Sequence, residues 1–269
     1  DGASLITSLT LDMSAAGAAT FNSNVTIGGN LTVSGTTVTA VGSDLTLADG
    51  ADLITASAGT SNVRFGVNAG NSITSGGTQN VVVGDEAGTA LTTGNSNVAV
   101  GYAALTADTL GDRTVAVGVG ALIAQNFTST TDVYNTAVGY RSGAAVTTGT
   151  ENTLIGGLAG DALTDADGNV ALGAYALSSD TLGSASVAIG NNALFNQNFT
   201  SATNAYNVAV GKNAGLSVST GTNNTLIGGL AGDAITTASN NTAVGYASLS
   251  SNTTGASNTA VGYNSLDAN

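Results

Sequence analysis

The chain has 269 residues, 42% of them hydrophobic but only 4% aromatic, with 38 Gly and no Pro, Cys, His or Trp. Seventeen acids against four bases leave a net charge of −13, which excludes the clustered cations that nucleic-acid binding needs. Without Cys or His there is no thiolate or imidazole chemistry, and no apolar run reaches the roughly 18–20 residues of a membrane span, so membrane insertion is not expected.

Residues 1–21 alternate loosely and read as an extended lead-in. From Phe21 the alternation sharpens into short strands at Val25/Ile27, Leu31/Val33, Val38 and Leu45/Leu47, separated by the turn signals Gly28-Gly29-Asn30, Ser34-Gly35-Thr36 and Gly42-Ser43-Asp44. Such strands do not stand alone in water, and intertwining with copies of the same chain would remedy this. The region 1–61 is therefore expected to be a β-rich connector. Its wording over about 20–55 resembles the strand-turn connectors of phage tail fibres.

From Asn62 a five-residue word takes over, typified by Asn97-Val98-Ala99-Val100-Gly101. Twelve copies close at Gly66, Gly84, Gly101, Gly118, Gly139, Gly156, Gly173, Gly190, Gly211, Gly228, Gly245 and Gly262. The step is mostly 17 residues, with two four-residue insertions 72 residues apart. The residue four past each closing Gly runs Gly, Gly, Leu, Leu three times over, so four rungs make a 72-residue super-repeat. Two short strands and two turns per step describe a β-solenoid over 62–269. Its twelve coils would extend roughly 58 Å at about 4.8 Å per rung, each stabilised by its neighbours.

Alternation places the second and fourth residues of the word on one face and the third on the other. Because the fourth is always large, that face is expected to fill the coil, with Val98, Val100, Val138, Ile155, Ile189, Val210, Ile227, Val244 and Val261 as core. The small third residues, Ala99, Ala116, Ala137, Ala188, Ala209 and Ala243, are then expected outside, admitting neighbouring chains in a three-fold assembly. Asn at the first position can form a hydrogen-bonded ladder. The closing Gly turns the corner.

The words SVAIG (186–190), NTAVG (135–139, 241–245 and 258–262) and NVAVG resemble the head repeats of YadA-type trimeric autotransporter adhesins. That resemblance implies a left-handed parallel β-roll, three rolls side by side, and an adhesive surface. The NTAVGYxSL form also looks like repeats of phage fibres.

No catalytic constellation emerges. The carboxylate pairs Asp85/Glu86, Asp108/Asp112 and Asp165/Asp167 sit in turns and do not recur with the rungs, so the chain reads as a non-enzyme without cofactor. Asp165 and Asp167 have the opening spacing of a calcium loop but lack its later Glu. Recognition is expected from what interrupts the word. Tyr102, Tyr140, Tyr246 and Tyr263 follow closing glycines, and the inserted loops 123–134 and 195–206 carry Phe127 with Tyr134, and Phe199 with Tyr206. The expected function is a homotrimeric extracellular fibre binding a host-surface glycan or protein, with other fibre or virion proteins as partners. A bacterial surface-adhesin head and a self-assembling extracellular filament are the alternatives.

Overall fold

The computed structural model describes residues 59–267, all within one compact unit, Ile54–Asn269. The strands expected between Val25 and Leu47 lie outside the described residues. Twelve three-residue strands, from Val63–Phe65 to Thr259–Val261, form one parallel sheet. Each word pairs with the next in register, as Val98 with Val115, Ala99 with Ala116 and Val100 with Val117. The chain is thus an all-β parallel solenoid of twelve coils about 17 residues apart.

The closing glycines recur because two constraints coincide there. Gly118 has φ +134°, a region closed to side chains, and a Cβ on it would stand 2.3 Å from the carbonyl oxygen of Gly139 in the next rung. Around the turn, backbone groups point along the axis: Gly118 N–H donates to Val100 O at 2.8 Å and Leu122 N–H to Ser142 O at 3.0 Å.

The two faces of the strand are the reverse of the sequence expectation. Ala99, Ala116, Ala137, Ala188, Ala209 and Ala243 are fully buried inside the coil, so they cannot be the contact surface for another chain. Val98, Val100, Val138, Ile155, Ile189, Val210 and Val244 are only half-buried and point outward, with Ile227 and Val261 more exposed still. Volume decides the orientation. The opposite side of each coil sends large residues inward, including Leu91, Leu105, Leu122 and Leu163, all fully buried. In most rungs that leaves room for a methyl group alone, and interiors pack without spare volume.

The same reasoning explains the Gly-Gly-Leu-Leu phase. Where the fourth residue past the closing Gly is Leu, it fills the coil in every rung but the last, where Leu266 is exposed, and the residue three further on is polar: Asp108, Gln125, Asp180, Gln197 or Asn252. Where it is Gly, an apolar residue three further on fills the coil instead: Ile73, Leu91, Val146, Leu163, Val218 or Ile235. Between each pair of Gly rungs the inward strand residue grows from Ala to Val82, Leu154 or Leu226. A Cβ on Gly143 or Gly160 would meet Leu154 at 2.8 Å, so the glycines and the leucine exchange volume across the interior.

The expected asparagine ladder forms, chiefly through the backbone. Asn80 Nδ2 donates to Gly94 O at 2.8 Å, while its Oδ1 accepts the N–H of Asn97 at 2.9 Å, and the pattern continues rung by rung. Side-chain to side-chain bonds join it at Asn224, Asn241 and Asn258. At Thr114 and Ser186, which lack an amide, a glutamine bridges the gap. Gln125 Nε2 donates to Thr114 Oγ1 at 3.0 Å, and its Oε1 accepts from Asn135 Nδ2 at 2.9 Å. Satisfying these buried polar groups matters, because each orphan would cost about 1–3 kcal/mol.

Candidate binding surfaces

Three kinds of surface are available on a coil of this design: the strand face, the inserted loops and the row of turns after the closing glycines.

The inserted loops are organised from within. Asp108, fully buried, accepts N–H bonds at 3.1 Å from both Gly111 and Phe127, and Nε2 of Gln125 donates to its other oxygen at 2.7 Å. Asp180 repeats the arrangement with Gly183, Phe199 and Gln197. Burial pushes the Asp108 carboxyl above its ordinary value, partly offset by these donors. The tier anchors each loop and leaves short parallel pairs, Gly111–Asp112 with Thr131–Asp132 and Gly183–Ser184 with Thr203–Asn204.

Phe127 and Phe199 consequently turn inward and are buried within their own chain, so neither is a receptor contact. Phe199 packs on Gly183, where a Cβ would come within 2.7 Å of its ring. Tyr134 and Tyr206 remain exposed. The Arg113 guanidinium lies 5.8 Å from the Tyr134 ring centroid and pairs with Asp132, whereas the matching places beside Tyr206 hold Ala185 and Asn204.

The carboxylate pairs do turn work. Asp85 accepts Val67 N–H, Asp112 accepts Asn95 N–H at 2.6 Å, and Glu86 accepts from Asn68. Asp165 accepts from Thr148 Oγ1 at 2.6 Å, and Asp167 from both the N–H and hydroxyl of Thr150. These oxygens cap the turn of the preceding rung. Among the described residues, no three metal-ligating side chains gather in one place.

The turn row runs Val67, Asp85, Tyr102, Val119, Tyr140, Gly157, Ala174, Asn191, Lys212, Gly229, Tyr246, Tyr263. Tyr102, Tyr140, Tyr246 and Tyr263 are all more than half exposed. Tyr246 and Tyr263 stack with centroids 5.7 Å apart and planes 12° from parallel. Tyr175, one place further round, meets Phe195 edge-on at 6.3 Å. Beside the Tyr246 stack a notch of about 230 Å³ opens, lined by Lys212, Asn213, Gly229, Leu230 and Tyr246. The sequence reading singled out the tyrosines but not Lys212 or Asn213. The available signal was the chain's sole lysine standing one rung from a glycine in a row otherwise rich in tyrosine.

No family model matches the chain, and no curated protein or solved structure matches it.

Proposed function

We propose that the chain is part of an extracellular adhesive fibre, set in a phage tail, that works as a homotrimer and binds a receptor on the host surface through its turn edge and loops. The outward strand face carries this reading. Its second and fourth word positions hold only Val, Thr, Ile, Leu and Phe, without one charge, in a chain bearing 17 acids. Phe65, Leu172, Ile227 and Val261 are 39–68% exposed there. The strip is roughly 58 Å by 10 Å, at about 4.8 Å per rung and 3.3 Å per residue. Uncharged apolar strips of this size mark interaction surfaces. Flat β-branched faces from three copies can close on one another around an axis, leaving the turn edges outward. Phage-fibre-like wording in the connector and adhesin-like wording in the rungs agree with that setting.

Sedimentation equilibrium of the full chain tests the assembly: three copies of 25.8 kDa are expected. Replacing Val138 and Val244 by Glu should release folded single chains. A wild-type chain that sediments as a monomer would sink the trimer. Immunogold labelling separates the phage setting from a bacterial surface adhesin, which would use the same assembly.

A further inference from the structure

The turn row places a cation, a gap and an aromatic face in succession. Lys212 stands on one side of Gly229 and Tyr246 on the other, so the two side chains flank a rung that has none. One face of the Tyr246 ring is taken by Tyr263. Its opposite side lies over Gly229, where a Cβ would sit 3.4 Å from the ring. The two walls start two rungs apart, about 9.6 Å at about 4.8 Å per rung, and the Tyr246 ring leans into that gap over Gly229. The remaining notch of about 230 Å³ admits a single saturated ring. Leu230 supplies an apolar patch. Asn213 receives an Asn192 amide hydrogen on its Oδ1 at 3.3 Å and keeps its own NH₂ for a hydroxyl.

The charge is as specific as the shape. Lys212 is the only lysine, and the one ion pair among the described residues is Arg113 with Asp132. Arg64 is occupied differently, its Nε donating to Ala69 O at 2.7 Å, and Arg141, exposed and also outside any ion pair, has Ala174 rather than an aromatic ring across its gap. An ammonium unpaired with any carboxylate, on a chain of net charge −13, attracts a compact anion, while the surrounding acids repel a polyanion. The chain also contains its own control. At the equivalent place 72 residues earlier, Tyr140 stands for Lys212, Arg141 for Asn213 and Ala174 for Tyr246, and nothing lies within 4 Å of the Cβ position of Gly157, so a cation is present there without the aromatic wall across the gap.

We propose that the Lys212–Gly229–Tyr246 notch binds a carboxylate-bearing pyranose, its ring lying on Tyr246 and its carboxylate on the Lys212 ammonium. This rests on the adhesive reading and names its ligand class. Uronic and sialic acids share the required chemistry, and the test separates them.

Binding of galacturonic acid trimer, 3′-sialyllactose and lactose to the full chain is measured by ligand-observed NMR and calorimetry. One acidic sugar should bind at least about tenfold more tightly than lactose, the value of one charge-assisted contact. Lys212→Gln should remove that preference while sparing weak binding of the neutral sugar. Gly229→Tyr should abolish binding by filling the slot. The row already carries Tyr at Tyr102, Tyr140, Tyr246 and Tyr263, and Gly229 has no positive φ, so that variant retains the fold. Equal affinity for acidic and neutral sugars, or full acidic-sugar binding by Gly229→Tyr, would overturn the proposal. Adhesion to host cells is scored in parallel. Loss of acidic-sugar binding in Gly229→Tyr with cell binding intact supports the slot and places adhesion elsewhere on the edge and loops. Acidic-sugar binding without any cell binding supports the slot and removes the adhesive reading.

Discussion

Leu122 and Leu194, Gln125 and Gln197, Phe127 and Phe199, Leu154 and Leu226 occupy matching places in the two copies of the super-repeat and are buried alike. Along the turn edge the copies part: Tyr140, Gly157 and Ala174 in one become Lys212, Gly229 and Tyr246 in the other, and Arg113 with Asp132 becomes Ala185 with Asn204. Interior positions answer to neighbours on the rungs before and after, so each residue is fixed by several others at once. Edge positions answer to water on one side and can diverge without cost to the coil. The duplicated interior holds the rod, and the unduplicated edge is where the copies acquire separate chemistry.

That division can be broken most forcefully at the closing glycines. Gly118→Val combines a forbidden φ with a clash against the next rung and should cost at least about 4 kcal/mol, seen as loss of the cooperative thermal transition by circular dichroism. Next, Leu154→Ala should cost about 3 kcal/mol in denaturant unfolding, since it leaves a cavity between two glycine rungs that cannot collapse. Val138→Ala on the outward face should cost under about 1 kcal/mol in the separated chain, which distinguishes the two faces directly. Gln125→Leu and Gln197→Leu should each cost about 2–3 kcal/mol, and the two values should agree within about 0.5 kcal/mol if the tiers are duplicates.

A smaller effect follows from pH. Asp161 accepts a hydrogen bond from Ser178 at 2.7 Å, but its counterpart Asp233 has a buried oxygen without a partner, because Ser250 donates to Asp267 instead. Burial first, then the Asp267 charge, raises the Asp233 carboxyl above its ordinary value, and burial raises Asp108. A folded-state value above the unfolded one means that the folded chain holds the proton more tightly. The stability from these groups is therefore complete below the ordinary carboxyl value of 3.8 and is lost as pH rises through the raised values. The contribution of these groups to the melting temperature should grow as pH falls through their raised values towards 3.8, and Asp233→Asn should flatten part of that slope. The smallest expected change in stability, within about 0.5 kcal/mol, belongs to the edge: Tyr140→Lys with Arg141→Asn and Ala174→Tyr should leave the melting temperature unmoved while adding a second sugar-binding notch at Gly157.

Much of the coil was legible in the sequence. The closing Gly, the Asn at the head of the word and the 17-residue step dictate stacked parallel strands because each has a single structural use. Which face turned inward was not legible from alternation, which distinguishes two faces without naming them. Size matching across the interior did carry that information: Val82, Leu154 and Leu226 interrupt the alanines only where glycines flank them. Two large residues per word looked like a core, yet a narrow coil already filled by the opposite leucines has no room for them. Phe127 and Phe199 misled for a related reason, since an insertion suggests protrusion whereas the buried Asp108 and Asp180 draw the loops back.

The interlocking of Gly143, Leu154 and Gly160 has a consequence for how such a rod changes length. Removing one 17-residue rung would set a glycine against an alanine or a leucine against a leucine, leaving a void on one side and a collision on the other. Excising a whole 72-residue block would rejoin every residue to an equivalent neighbour. A change of length in whole blocks of four rungs would therefore preserve the packing that a change of one rung breaks, as on a ruler whose graduations are written in the alternation of glycine and leucine.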